Sequence, residues 1–195
     1  MDFNQPAYAD PTLVTGCKRN DRVAQERLYQ KYFDQAYRLC NRYTSQPSDA
    51  LAVVNEGFLK VFRHIASFRF DAGTLGAWIS RIMVNTAIDT IRKKNRMIPH
   101  QELEQAEPTS FTEDILSRLH ADEIMAIIKM LPAVSQAVFN LYEIEGYQHK
   151  EIAAMMQISE STSRWHLTEA KKKLRELYFK HHHYPENVNE EKIYP

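Results

Sequence analysis

The sequence predicts an all-α protein made of two small helical domains joined by a flexible acidic linker. Three observations predict it. Apolar residues recur at three- and four-residue steps through most of the chain, the spacing of one helix face. Glycine is scarce, with five in 195 residues, which is poor supply for the turns of a β-rich fold or a phosphate cradle, and no GxGxxG run occurs. Residues 99–112 break the helical pattern with Pro99, Pro108, Thr109 and Ser110. The 44% hydrophobic content suffices for packed cores. The expected organisation is a domain over residues 1–96, a linker over 97–112, a second domain over 113–180 and a flexible tail over 181–195.

Taken in order, the first long helix follows Asp21, whose side chain can cap it. Ala24, Leu28, Tyr32, Ala36, Leu39, Cys40 and Tyr43 line one face of it. Gln46-Pro47-Ser48 breaks that helix, and Ser48 is placed to cap the next. There Leu51, Val54, Phe58, Val61, Phe62 and Ile65 repeat at helical steps. A short loop covers residues 67–73, and a third helix runs over about residues 74–94 with Leu75, Trp78, Ile79 and Ile82 on one stripe. These three helices can close a bundle.

The second helical set begins near Glu113 and carries Ile115, Leu119, Ile124, Ile127, Ile128 and Leu131. Pro132 suits the first turn of a further helix bearing Ala137, Val138, Leu141, Tyr142 and Ile144, which Glu145-Gly146 stops. A short helix from Gln148 to Met156 and a longer one from Glu160 to about Lys180 complete the set.

The net charge is zero, 25 basic against 25 acidic residues, with a pI near 7.1. That balance would argue against a nucleic-acid partner if the charges were evenly mixed. They are not. Over residues 81–96, Arg81, Arg92, Lys93, Lys94 and Arg96 face Asp89 alone. Over residues 162–180, Arg164, Lys171, Lys172, Lys173, Arg175 and Lys180 face Glu169 and Glu176. Between them Glu102, Glu104, Glu107, Glu113, Asp114, Asp122 and Glu123 face Arg118. Two basic segments thus flank an acidic middle. Cys17 and Cys40 make no disulfide framework and are expected to be buried free thiols. The first residues lack the basic and then apolar pattern of a signal peptide, and no apolar run approaches the ~18 residues of a membrane span, so a cytoplasmic protein without membrane insertion is expected.

The most specific local pattern spans residues 148–167 and reads as a helix-turn-helix. Ile152, Ala153 and Met156 give the first helix a buried face, Ile158 plugs the turn and Ser159 can cap the second helix. Leu167, Ala170 and Leu174 face inward, which turns Ser161, Thr162, Ser163, Arg164, His166, Lys171 and Lys172 outward to varying degrees, with Lys150 on the preceding helix. Small polar residues at the start of such a helix can approach base edges, and bases further along can contact phosphates. Gln157 stands where glycine is usual and must adopt a left-handed backbone if the turn needs one. Ser163 stands where a β-branched apolar residue is common.

Together these residues resemble a bacterial RNA polymerase sigma factor of the extracytoplasmic-function (ECF) group, which has only sigma regions two and four. Residues 48–62 resemble that family's polymerase-binding helix. The run Phe68-Arg69-Phe70-Asp71-Ala72-Gly73, with the framework Trp78, Asn85, Asp89 and Arg92, is similar to its promoter-melting segment. Leu131-Pro132, Phe139, Glu151-Ile152-Ala153, Thr162, Leu167 and residues 170–174 resemble region four. The resemblance covers about residues 10–180.

It implies an alternative sigma factor that binds core RNA polymerase through the β and β′ subunits, directs it to promoter DNA and helps melt the minus-ten region. Polymerase contacts are implied at Asp49, Asn55, Glu56, Phe58 and Lys60. Minus-ten contacts are implied at Phe68, Arg69, Phe70, Asp71, Trp78, Arg81, Asn85, Arg92, Lys93 and Arg96, because a flipped base needs an aromatic pocket and hydrogen-bond donors while cations track phosphates. Minus-35 contacts are implied at Lys150, Ser161, Thr162, Ser163, Arg164, His166, Lys171 and Lys172. Further partners are an anti-sigma factor or another recruiting DNA-bound protein. No catalytic residue, metal or cofactor is expected. Two departures from the family stand out. Ala50-Leu51-Ala52 replaces an acidic pair, and Trp165 and Glu169 stand at recognition-helix positions that are often small or basic.

Two other readings compete. A stand-alone helix-turn-helix regulator of duplex DNA explains the second half and not the Trp78–Arg92 framework. A metal-dependent enzyme is suggested only by His181-His182-His183, whose adjacent side chains do not share a helix face, with no ligand set nearby.

Overall fold

The computed structural model describes residues 9–96 and 121–181 and divides the chain into two compact units, Met1–Pro99 and His100–Pro195. The acidic linker residues 97–112, the segment around Glu113 and the tail beyond His181 lie outside the described residues.

Among the described residues, the first unit holds four α-helices: α1 (Asp10–Lys18), α2 (Arg22–Asn41), α3 (Pro47–His64) and α4 (Leu75–Arg96). The sequence pattern predicts three of them, α2 to α4. α1 is nine residues long and buries only Leu13, Val14 and Cys17. Its first residue anchors it to α2, since the Asp10 carboxylate accepts from the Tyr32 hydroxyl at 2.8 Å and pairs with Lys31 at 2.6 Å. Lys18 Nζ closes its other end on the Phe68 carbonyl at 3.2 Å.

Asp21 caps α2 by accepting from the Val23 amide at 2.9 Å, and the expected face of that helix is buried from Ala24 through Tyr43. α3 departs from expectation at its start. Its N-cap is Gln46, Pro47 lies in its first turn, where the missing N–H costs nothing, and Ser48 is exposed within the helix rather than capping it. The expected stripe is buried at Val54, Phe58, Val61 and Ile65, and it fails at Leu51, which is 42% exposed, while Ala50 and Val53 are buried.

The 67–73 segment contains a short 3-10 turn over Phe70–Ala72, following another over Ile65–Ser67. Both cysteines are buried free thiols, and burial pushes Cys17 up to about 11 and Cys40 up to about 12. Neither is a thiolate near neutral pH.

The second unit holds α5 (Ala121–Ile128), α6 (Ala133–Phe139), α7 (His149–Met156) and α8 (Glu160–His181). Pro132 is the N-cap of α6, one residue before the expected position. α6 runs into a π-helical turn over Asn140–Ile144, and Gly146 at φ +75 ends it. Tyr142 and Ile144 are exposed there rather than buried. The core gathers Ile128, Ala137, Val138, Phe139 and Leu141 against Ile152 of α7 and Leu167, Ala170 and Leu174 of α8.

The Glu151 carboxylate accepts from the Gln148 amide at 2.8 Å and so holds the first turn of α7. Gln157 ends α7 with φ 57 and ψ 44, the left-handed conformation that glycine would adopt more easily. Ser159 then caps α8, its Oγ accepting from the Thr162 amide at 3.0 Å.

Candidate nucleic-acid interface

In the first unit the chemistry gathers on α4. Trp78, Arg81, Asn85, Asp89 and Arg92 recur at three- and four-residue steps, so they share one stripe. Arg81, Asn85 and Lys93 are exposed, and Trp78 is half-buried. The side chain of Arg96 lies outside the described residues. Asp89 carries the opposite charge and is shared: its Oδ1 takes Arg92 and its Oδ2 takes Lys60 of α3 at 3.1 Å. A second bridge joins Lys94 to Asp49 at 2.9 Å. Asp89 and Lys94 of α4, with Lys60 and Asp49 of α3 that the sequence assigns to polymerase, therefore stitch α3 to α4.

The aromatic loop divides by role. Phe68 is 4% exposed and belongs to the core, so it cannot form an open pocket wall. It supports Phe70, with centroids 4.9 Å apart edge to face, and Trp78 at 5.4 Å. Phe70 is 49% exposed and presents its ring to solvent. Arg69 and Asp71 bind each other, with Nε to Oδ1 at 3.0 Å, and Arg69 holds the Asp71 carboxyl below its usual range.

On α3, Phe58 is 2% exposed and unavailable to a partner, which corrects its assignment as a contact. Asn55 and Glu56 are exposed, and Asn55 accepts from the Tyr29 hydroxyl at 3.1 Å. Leu51 and Leu59, 42% and 59% exposed, stand one helical turn to either side of Asn55. Sequence reasoning placed Leu51 in the core and passed over Leu59. The steps 51, 55 and 59 carried the signal, because they fall outside the buried stripe.

In the second unit the first turns of α8 and the start of α7 form the candidate surface. Lys150, Ser161, Arg164 and Lys172 are exposed and Thr162 is half-buried. Arg164 pairs with Glu160 one turn back. Two assignments fail on geometry. Ser163 is fully buried, and its Oγ meets His149 Nδ1 at 3.0 Å. His166 turns toward α6, where its Nδ1 meets the Ser135 Oγ at 3.0 Å, and burial lowers its pKa to about 4. Lys171 is held by Glu143 of the π-helical turn at 2.8 Å. Trp165 is half-buried with its ring edge to face against His166.

Among the described residues, no group of three His, Cys, Asp or Glu side chains could hold a metal ion, and no helix is long and apolar enough to cross a membrane.

Comparison with known proteins follows the same division. The sigma-70 region 2 family matches residues 28–97, and the sigma-70 region 4 family matches residues 121–174. The RNA polymerase sigma-H factor of Pseudomonas aeruginosa is 32% identical over 168 residues, covering 80% of this chain and 86% of that protein. The ECF RNA polymerase sigma factor SigE of Mycolicibacterium smegmatis is 29% identical over 164 residues, covering 80% of this chain; the chain spans 62% of that relative's length. Among solved structures, the sigma factor RpoE of Bartonella quintana, in complex with the anti-sigma factor NepR, is 18% identical with a TM-score of 0.48, covering 78% of this chain and 94% of that one.

Proposed function

The chain belongs to the extracytoplasmic-function group of RNA polymerase sigma factors, and from that premise we propose that it binds core RNA polymerase, directs it to specific promoters and helps melt the minus-ten region. The supporting observation is the co-occurrence on one chain, in this order, of the α4 stripe and the capped α8 helix. A stand-alone duplex regulator accounts for α7 and α8 alone and leaves the region 2 match over residues 28–97 without a role.

In this reading the first unit receives single-stranded DNA. Phe70 and Trp78 stack on an extruded base, Asn85 donates and accepts at base edges, and Arg81 and Lys93 track phosphates, while Arg92 stays on Asp89. Phe68 backs that surface without touching DNA. The outer face of α3, with Leu51, Asn55, Glu56 and Leu59, meets the β and β′ subunits. It is more apolar than the acidic pair usual in the family would make it. In the second unit α8 enters the major groove of the minus-35 element, with Ser161, Thr162 and Arg164 at the bases and Lys150 and Lys172 at phosphates.

The acidic linker, whose Glu102, Glu104 and Glu107 would repel DNA, keeps to the polymerase. The protein acts by binding and catalyses nothing itself, and it works in the cytoplasm. An anti-sigma factor is the regulatory partner that fits the family. Size-exclusion chromatography with light scattering tests the premise: a one-to-one complex with core polymerase is expected, weakened by Leu59→Asp. A chain that binds duplex DNA and never binds core would overturn it.

A further inference from the structure

We propose that His149 is a positioning residue for the recognition helix: held between Tyr142 and Ser163, it sets the rotation of α8 and hence how Ser161, Thr162 and Arg164 meet duplex DNA. This rests on the reading that α8 enters the major groove.

The observations converge on one imidazole. His149 opens α7 and is 8% exposed. The Gln148–Glu151 contact fixes the turn it stands on. Its ring lies on Tyr142 with centroids 4.6 Å apart and planes 24° from parallel. Its Nδ1 meets Ser163 Oγ at 3.0 Å, and that serine is wholly buried on the inner face of α8. Ser163 directly follows Ser161 and Thr162 and precedes Arg164. A change in this contact therefore rotates the residues that face outward. Where an apolar side chain would hold the two helices by contact in any direction, a hydrogen bond fixes a distance and an angle.

Its chemistry makes the pin sensitive to protons. A neutral imidazole has one donor and one acceptor, and either tautomer can satisfy the Ser163 hydroxyl. Burial lowers the pKa of His149; Arg164 and Lys171 of α8 lower it further, and Glu160 raises it. Tyr142 lies against the ring, and Glu143 beside it pairs with Lys171. Protonation would place a cation among cations and require an acceptor at the second ring nitrogen. Acidification thus strains the pin.

The experiment has two arms on the full chain. In the first, long-range nitrogen–proton NMR follows the His149 ring from pH 8 to 5. A midpoint below that of a free imidazole, about 6.5, which moves on Ser163→Ala, is expected. A midpoint at the free value, unmoved by Ser163→Ala, overturns the pin whatever the DNA result. In the second, a duplex enriched from a random library by the wild-type chain is titrated at pH 7.5 and 5.5. His149→Phe and Ser163→Ala are each expected to weaken binding about tenfold at pH 7.5 with the salt slope unchanged. The double variant His149→Phe/Ser163→Val, which replaces the polar pair by apolar contact, is expected to recover most of that affinity and to lose the wild-type decline at pH 5.5. A double variant as weak as the singles, or one with the wild-type pH profile, overturns the positioning role. If the wild-type chain enriches no duplex, the DNA reading fails and the positioning role with it, while the NMR arm still reports whether the pin exists.

Discussion

His166 lies on the helix that the sequence marks for DNA, yet its ring reaches back to Ser135. Its outward assignment followed from helical spacing alone. Spacing cannot show that α6 brings a hydroxyl within 3.0 Å of that ring. The burial that follows has a sign that can be worked out. The folded state favours the neutral imidazole, with a pKa of about 4, so the unfolded chain binds the proton more readily. The stabilising contribution is complete above about pH 6.5 and is lost as pH falls toward 4. Thermal unfolding should therefore show a lower midpoint at pH 5 than at pH 7, and His166→Phe should reduce that difference; an equal pH response in the variant would assign the effect elsewhere.

Lysines on the same helix also separate by environment. Lys171 is engaged by Glu143, whereas Lys172 is exposed. Lys172→Ala should flatten the salt dependence of duplex binding by about one log unit per log of salt, and Lys171→Ala by less. Equal slopes for the two variants would mean that Glu143 yields Lys171 to the phosphate.

At the scale of elements, long periodic helices were legible and short or interrupted ones were not. α2 and α4 each repeat an apolar stripe over nearly their whole length, so the pattern carries its own redundancy, and α8 shows it through Leu167, Ala170 and Leu174. α1 offers nine residues and three buried side chains, too few to stand out from the polar start of the chain. It is held by tertiary contacts that no local pattern contains: the Asp10 anchor, and a close approach to α2 at Gly16. A methyl group at that glycine would stand 2.4 Å from the Ala24 Cβ, which has no rotamer to escape into. Gly16→Ala should accordingly destabilise the first unit by roughly 1–3 kcal/mol in urea unfolding, and an unchanged midpoint would show that α1 is not packed there.

The helix-turn-helix was legible because its turn carries chemistry as well as periodicity. Gln157 takes the left-handed conformation that the turn requires, and Ser159 caps the helix after it. The π-helical turn after α6 gave no sequence signal. It explains why Tyr142 and Glu143 reach the two helices of the motif rather than continuing the α6 stripe.

At the scale of the whole molecule, the zero net charge hides an order along the chain. Basic runs end α4 and occupy α8, and acids fill the sequence between them. The structure refines that order within each unit. Some cations are paired, Lys60 and Arg92 on Asp89 and the exposed Lys94 on Asp49, whereas Arg81, Lys93 and Lys172 are exposed to solvent and enter no ion pair among the described residues. Sequence gives the sign of a region, and packing decides which of its charges remain for a partner.

In the proposed function both units act together on polymerase and promoter. Start-site-resolved transcription tests it most directly, with purified core polymerase, the added chain and a library of random upstream sequences. Starts are expected that depend on the chain, share a minus-ten motif, and are lost with Arg81→Ala/Asn85→Ala while the complex with core persists. Transcription whose starts are the same with and without the chain would contradict it.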